Sequence, residues 1–155
     1  MPERLEESKK FGFVFISEKR ANGTKRLYMQ GNVITTVGLE RMASHLADST
    51  PGKELFTHFA LGSGTTLAEA IGNPALETQI YIEAFDNIFA SGPIIFGYTS
   101  LVATDIGVGS YSIGEVGLFD ALSGGNLIAR QLLDTVISNF TGADQIDTLW
   151  GIVNL

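Results

Sequence analysis

The sequence predicts a mainly β fold, a β-sandwich or a partly closed antiparallel barrel of about seven to nine short strands, with one packed helix over about residues 36–47. Three observations carry this. The 155 residues include 18 glycines and ten phenylalanines, a composition that favours strands and tight turns. Helix-favouring Lys, Glu and Arg are sparse after residue 54. Apolar runs of strand length recur along the chain, each bounded by glycine-containing breaks. The length suits one domain that buries about two-thirds of its unfolded surface.

Residues 1–10 carry Met1, Pro2 and Leu5 as their only apolar side chains, and are expected to form a charged, mobile N-terminal arm ahead of a single domain over 11–155. Phe11-Gly-Phe-Val-Phe-Ile16 and Arg26-Leu-Tyr-Met-Gln-Gly31 flank the turn pair Asn22-Gly23, which predicts a β-hairpin. Over Thr35 to Ala47, Leu39, Met42, Ala43 and Leu46 recur at helical spacing, with Thr35 or Thr36 as the N-cap and Asp48-Ser-Thr-Pro-Gly52 as the stop. Leu55 to Leu61 suits a strand with one buried face, and Gly62-Ser-Gly-Thr-Thr66 turns the chain. Gly72 and Pro74 forbid a long helix over 67–79, so a surface loop with about one helical turn is expected there. Ile80 to Ile88 and Ile94 to Thr104 read as strands around the break Ala90-Ser-Gly-Pro93, and Asp105 to Ser110 as a glycine-rich turn. A hairpin follows, with Ile113, Val116, Leu118 and Phe119 before the link Asp120 to Asn126, which contains Gly124 and Gly125, and Leu127 to Ala129 after it. Gln131 to Ile137 and Thr148 to Val153 close the fold as strands.

Charge divides along the chain. Residues 1–26 hold seven basic residues (Arg4, Lys9, Lys10, Lys19, Arg20, Lys25 and Arg26) against four Glu, a local charge of +3 within a net charge of −7, which leaves −10 for the rest. From Glu54 onward eleven acidic residues face one basic residue, Arg130. Such a body argues against nucleic-acid binding and is otherwise a source of solubility. A basic arm or hairpin over 1–26 docking on the acidic body of a neighbouring copy is the sharper reading, and removing it is expected to leave a folded body. The absence of cysteine excludes disulfides and thiolate metal sites. With no apolar leader and no run of about 18 apolar residues, neither export nor a membrane span is expected.

No residue set reads as catalytic, and no cofactor or metal is expected. Gly62-Ser-Gly-Thr-Thr66 lacks the lysine a phosphate loop requires. His45 and His58 lack partners at metal-ligand spacing, and no Gly-x-Ser-x-Gly elbow offers a nucleophile. Glu77, Glu83, Asp86 and Glu115 are the carboxylates a glycosidase would draw on, but the sequence does not pair them. Arg130, isolated among acids, is expected to form a bidentate salt bridge with Glu115 or Asp120 that fixes the hairpin. Trp150 reads as a core anchor of the last strand.

The run Glu115-Val-Gly-Leu-Phe-Asp120, then Gly124-Gly125, then Leu127-Ile-Ala-Arg130, resembles a motif of bacteriophage tail-fibre and baseplate-associated proteins. Two further pieces match in order: Asn32-Val-Ile-Thr35 with Gly38, and Phe59 to Thr66 followed by Pro74 to Tyr81. The resemblance spans roughly Asn32 to Arg130; it departs where the pattern ends on an arginine and this chain has Ile82 and Glu83. It implies a non-enzymatic structural protein of the virion, synthesised in the host bacterial cytoplasm and working through contacts with other virion proteins and with copies of itself as a homo-oligomer. Alternatives are a capsid decoration or head-tail neck protein and, in another class, a carbohydrate- or receptor-binding module.

Overall fold

A computed structural model describes residues 11–40, 55–66 and 72–153. The described residues form nine strands: β1 (Phe11–Lys19), β2 (Lys25–Ile34), β3 (His58–Gly62), β4 (Gln79–Ala84), β5 (Asn87–Ser91), β6 (Ile94–Val102), β7 (Ser110–Phe119), β8 (Leu127–Thr141) and β9 (Gln145–Val153). Helical segments are short: α1 at residues 36–40 and α2 (Ala103–Ile106). Hydrogen bonding runs through the series β4-β3-β7-β8-β2-β1-β9-β6-β5, and every pairing is antiparallel.

The series folds into two layers because β2 changes partner. Its first part pairs with β1 from Lys25↔Lys19 to Asn32↔Gly12, whereas Val33 and Ile34 pair with Arg130 and Ala129 of β8. Sheet A is therefore β2-β1-β9-β6-β5, and sheet B is β4-β3-β7-β8 with the end of β2. The two terminal strands of the series, β4 and β5, are joined by Phe85 and Asp86 but not paired with each other, so the fold is a β-sandwich and not a closed barrel.

Inward side chains of the two sheets make one apolar core. Val14, Ile16, Leu101, Trp150 and Ile152 come from sheet A and Phe59, Leu61, Val116 and Leu118 from sheet B, all buried. The layers meet directly where the rings of Phe59 and Trp150 lie 6.3 Å apart, edge to face. Trp150 is thus the core anchor its position in the last strand suggests. At the β4–β5 corner, Phe85 enters the core against Phe56, 5.4 Å away, and over Gly97 of β6, where a Cβ would meet both rings.

Local chemistry explains the boundaries. Gly23 takes φ +90° in the β1–β2 turn, and Asn22 Oδ1 accepts from Thr24 N–H at 3.0 Å. Thr35 caps α1, its Oγ1 accepting from Gly38 N–H at 2.9 Å. The remainder of the expected helix, residues 41–47 with His45, lies outside the described residues, as does the charged segment 1–10 with Lys9 and Lys10. The strand expected from Leu55 begins at His58.

Three expectations are corrected. Ile80 to Ile88 is not one strand, because Phe85 turns inward and sends β4 to sheet B and β5 to sheet A. Gln131 to Ile137 is not separate from Leu127 to Ala129; β8 runs 15 residues through irregular register against β7. Residues 1–26 are not a removable arm, since β1 lies between β2 and β9 and buries Val14 and Ile16.

Candidate functional site

The two sheets present contrasting outer faces. On sheet B, Ala60 and Gly62 of β3, Glu115 and Gly117 of β7, and Leu127 and Arg130 of β8 lie under the segment 72–78. Leu76 of that segment is buried with Ala60, Phe119 and Leu127. Gly117 is required here, because a Cβ would meet Leu76 Cδ2 at 2.9 Å.

Beneath the same segment lies a wholly buried ion pair, Glu115 and Arg130. Arg130 Nε and Nη2 both reach Glu115 Oε2, each at 2.9 Å, and Nη1 donates to Asn73 Oδ1 at 3.2 Å. The carboxylate also accepts backbone N–H bonds from Glu77 at 3.1 Å (Oε2) and from Thr78 at 2.8 Å (Oε1). Cβ atoms at Gly62 and Gly64 would collide with the Glu115 carboxylate, so the Gly62-Ser-Gly64 turn is glycine-rich to admit that side chain. Thr66 Oγ1 donates to Glu77 Oε1 at the same place. The expected salt bridge is present with Glu115 as the partner: Nε and Nη2 both reach Oε2, which also accepts from the Glu77 N–H, while Oε1 accepts from the Thr78 N–H.

Asp120 has a different task. Its Oδ1 accepts from Asn126 N–H at 2.7 Å and its Oδ2 from Asn126 Nδ2 at 2.9 Å, closing the β7–β8 loop in which Gly124 takes φ +65° and Gly125 packs against the Ala121 backbone. The motif residues thus build the hairpin and its cover.

The outer face of sheet A has no cover among the described residues. Alternation along β1 puts Phe13 and Phe15 outside, half-buried, with Met29 of β2, Leu149 of β9 and Phe96 of β6 beside them. Leu27 and Met29 are 73% and 68% exposed, and Phe89 and Tyr98 about 40%. Rings interlock across the strands: Phe13 with Phe96 at 6.0 Å, and Phe89 stacked on Phe96 at 5.1 Å. Gly151 lies beneath the Phe13 ring, where a Cβ would clash. Outward apolar side chains thus occur on all five strands of sheet A.

The basic residues of the hairpin divide. Lys19 pairs with Asp147 at 3.0 Å. Arg20 pairs with Glu18 and Asp144 and donates to the carbonyls of Ser138 and Asn139, tying the β1–β2 turn to the β8–β9 turn beside an open cleft of about 580 Å³. Lys25 and Arg26 are exposed. Burial opposes ionisation of Asp144, yet N–H bonds from Ala21 and Thr141 and the Arg20 guanidinium hold its carboxyl below the usual range. Asp147 is likewise held low against burial, by Ser100, Gln145 and Lys19. Glu83 is pushed up, mainly by burial, with Asp86 and Asp105 adding to it, although Thr99 Oγ1 donates to it at 2.7 Å and Tyr81 Oη at 3.3 Å.

Of the four carboxylates weighed for glycoside chemistry, Glu115 is sealed beneath the segment 72–78 and Asp86 Oδ2 accepts from Ser100 N–H at 2.8 Å. His58 Nδ1 lies 2.6 Å from Thr57 Oγ1. Among the described residues no group of three His, Cys, Asp or Glu is placed to hold a metal ion. No described helix is long and apolar enough to cross a membrane. The apolar face of sheet A escapes sequence reading because Phe11 to Ile16 is apolar at every position except Gly12, which hides its alternation; the register with β9 and β6 reveals it. Neither a family model, nor a curated protein, nor a solved structure matches the chain.

Proposed function

We propose that this protein is a structural component of a tailed bacteriophage virion, acting in the tail, baseplate or fibre-attachment region through protein contacts and without catalysis. The observation that carries the reading is the outer face of sheet A, where Phe13, Phe15, Phe89, Phe96, Met29 and Leu149 form apolar surface that a protein partner would bury. Its rings are phenylalanines apart from Tyr98, and phenylalanine offers no hydrogen bond to a sugar hydroxyl, which favours a protein over a glycan. The resemblance of Glu115 to Arg130 to tail-fibre and baseplate-associated proteins supports the location. Its residues serve to close a hairpin and bury an ion pair, as befits a framework motif. Immunogold labelling of tailed particles from the strain that encodes the gene tests the assignment. Label at the tail, baseplate or fibre base is expected; particles that carry none of the protein overturn it.

A further inference from the structure

Asn22-Gly23 shapes the β1–β2 turn, and the same two residues are chemically reactive toward each other. A backbone nitrogen that follows an asparagine can attack the side-chain amide when little stands in its way. Every other asparagine of the chain is followed by Val, Pro, Ile, Leu or Phe, which hinder that approach or, in proline, remove the N–H. Gly23 presents no side chain, and Asn22, Gly23 and Thr24 are all exposed.

The turn both prepares this attack and restrains it. Arg20 N–H donates to the Thr24 carbonyl at 2.8 Å and Gly23 N–H to the Arg20 carbonyl at 3.0 Å, a three-residue hairpin link in which Gly23 takes φ +90°. Thr24 N–H donates to Asn22 Oδ1 at 3.0 Å, the oxygen on which negative charge gathers as Cγ is attacked, so a donor for that charge is already in place. The Arg20 carbonyl, by contrast, holds the Gly23 N–H, and attack waits on opening of the turn. Opening is resisted by the neighbouring turn: Asp144 Oδ1 accepts from Ala21 N–H at 2.8 Å and Oδ2 from Arg20 Nη1 at 3.1 Å, while Arg20 also donates to the carbonyls of Ser138 and Asn139.

We propose that Asn22 is a site of spontaneous self-modification to aspartate and isoaspartate, with Asp144 as the residue that holds its rate down. The Gly23 nitrogen bonds to Asn22 Cγ, the Cγ–Nδ2 bond breaks, and the side-chain nitrogen leaves as ammonia with the proton that Gly23 gave up; water then opens the cyclic imide at either carbonyl. The product alters a balanced site. Two carboxylates, Glu18 and Asp144, and two guanidiniums, Arg20 and Arg26, line the cleft beside Asn22, and conversion adds a third carboxylate. Isoaspartate also lengthens the main chain by one methylene, inside a link closed by the Lys19↔Lys25 pair.

The full chain, held in mildly alkaline buffer at body temperature, is expected to convert at residue 22 ahead of every other asparagine. The readouts are the mass gain of the tryptic peptide 21–25 and methyl transfer by an isoaspartyl methyltransferase. Asp144→Asn is expected to convert about tenfold faster than wild type, the size of one hydrogen bond to a charged group, and the urea-unfolded chain faster again. Arg20→Lys, which loses the fork onto Ser138 and Asn139, accelerates conversion in the same sense and serves if Asp144→Asn fails to fold. Asn22→Gln is expected to keep the fold, judged by unchanged circular dichroism, and to yield no isoaspartate in that peptide. A folded chain that does not convert at Asn22, equal conversion at another asparagine, or folded Asp144→Asn and Arg20→Lys variants that convert no faster than wild type overturn the proposal.

Discussion

The outer faces of the two sheets are built from the same strand chemistry and finished in opposite ways. On sheet B the chain folds back over itself: Leu76 covers Gly117 and Leu127, and the Glu77 and Thr78 amides bind the Glu115 carboxylate. On sheet A no described segment returns, and Leu27, Met29, Phe89 and Tyr98 face outward. A sealed face contributes to the stability of the single chain, whereas an open apolar one contributes only when something else closes it. The covered face and the exposed apolar face thus lie on different sides of one sandwich.

Substitutions sort by side. Arg130→Met leaves the Glu115 charge buried without its counter-ion and is expected to cost about 3–5 kcal/mol in urea unfolding. Adding Glu115→Leu should recover only part of this, because the Glu77 and Thr78 N–H groups then lose their acceptor, at about 1–3 kcal/mol. A fully recovered double variant would show that the cover does not depend on the carboxylate. Leu76→Ala is next, at about 2–3 kcal/mol by the same measurement.

Asp144→Asn tests the tie between the turns, and is expected to cost about 2 kcal/mol at pH 7. Its carboxyl is held below the ordinary range, so its contribution is present above the unfolded value and is lost as pH falls through the lowered folded value. Wild type and variant should therefore converge in acid melts. Glu83 has the opposite sign: its raised carboxyl favours the fold below the unfolded value, and that contribution is lost as pH rises through the folded value. Glu83→Gln should flatten this dependence and melt no lower than wild type at pH 7. Met29→Ser, on the open face, should change monomer stability by less than about 0.5 kcal/mol. A cost near that of Leu76→Ala would mean the open face is sealed within the chain after all.

The sequence exposed local features better than layered ones. Asn22-Gly23 announces the β1–β2 hairpin because its turn needs a residue at positive φ, and the structure places Gly23 there. Arg130 was readable as a paired charge because no other basic residue follows Glu54, and Glu115 was among its candidate partners. Asn73, Glu77 and Thr78 were not readable as parts of that site, because Gly72 and Pro74 leave the segment without a period. The division into two sheets was hidden for a related reason. Alternation through Ile80 to Ile88 continues across Phe85, and only its burial against Phe56 and Gly97 marks the corner. The exposed aromatics went unread because periodicity in a strand reports two faces without saying which of them water will see.

The exchange of partners by β2 at residues 32–34 has a mechanical meaning. One strand is stitched into both layers, joined to β1 along eight residues and to β8 along two. The layers therefore cannot part like pages, because peeling either one pulls on the backbone that holds the other. Under a stretching force or in denaturant, the described body should give way in one step, with the amide of Ile34 exchanging its hydrogen no sooner than those of the strands on either side.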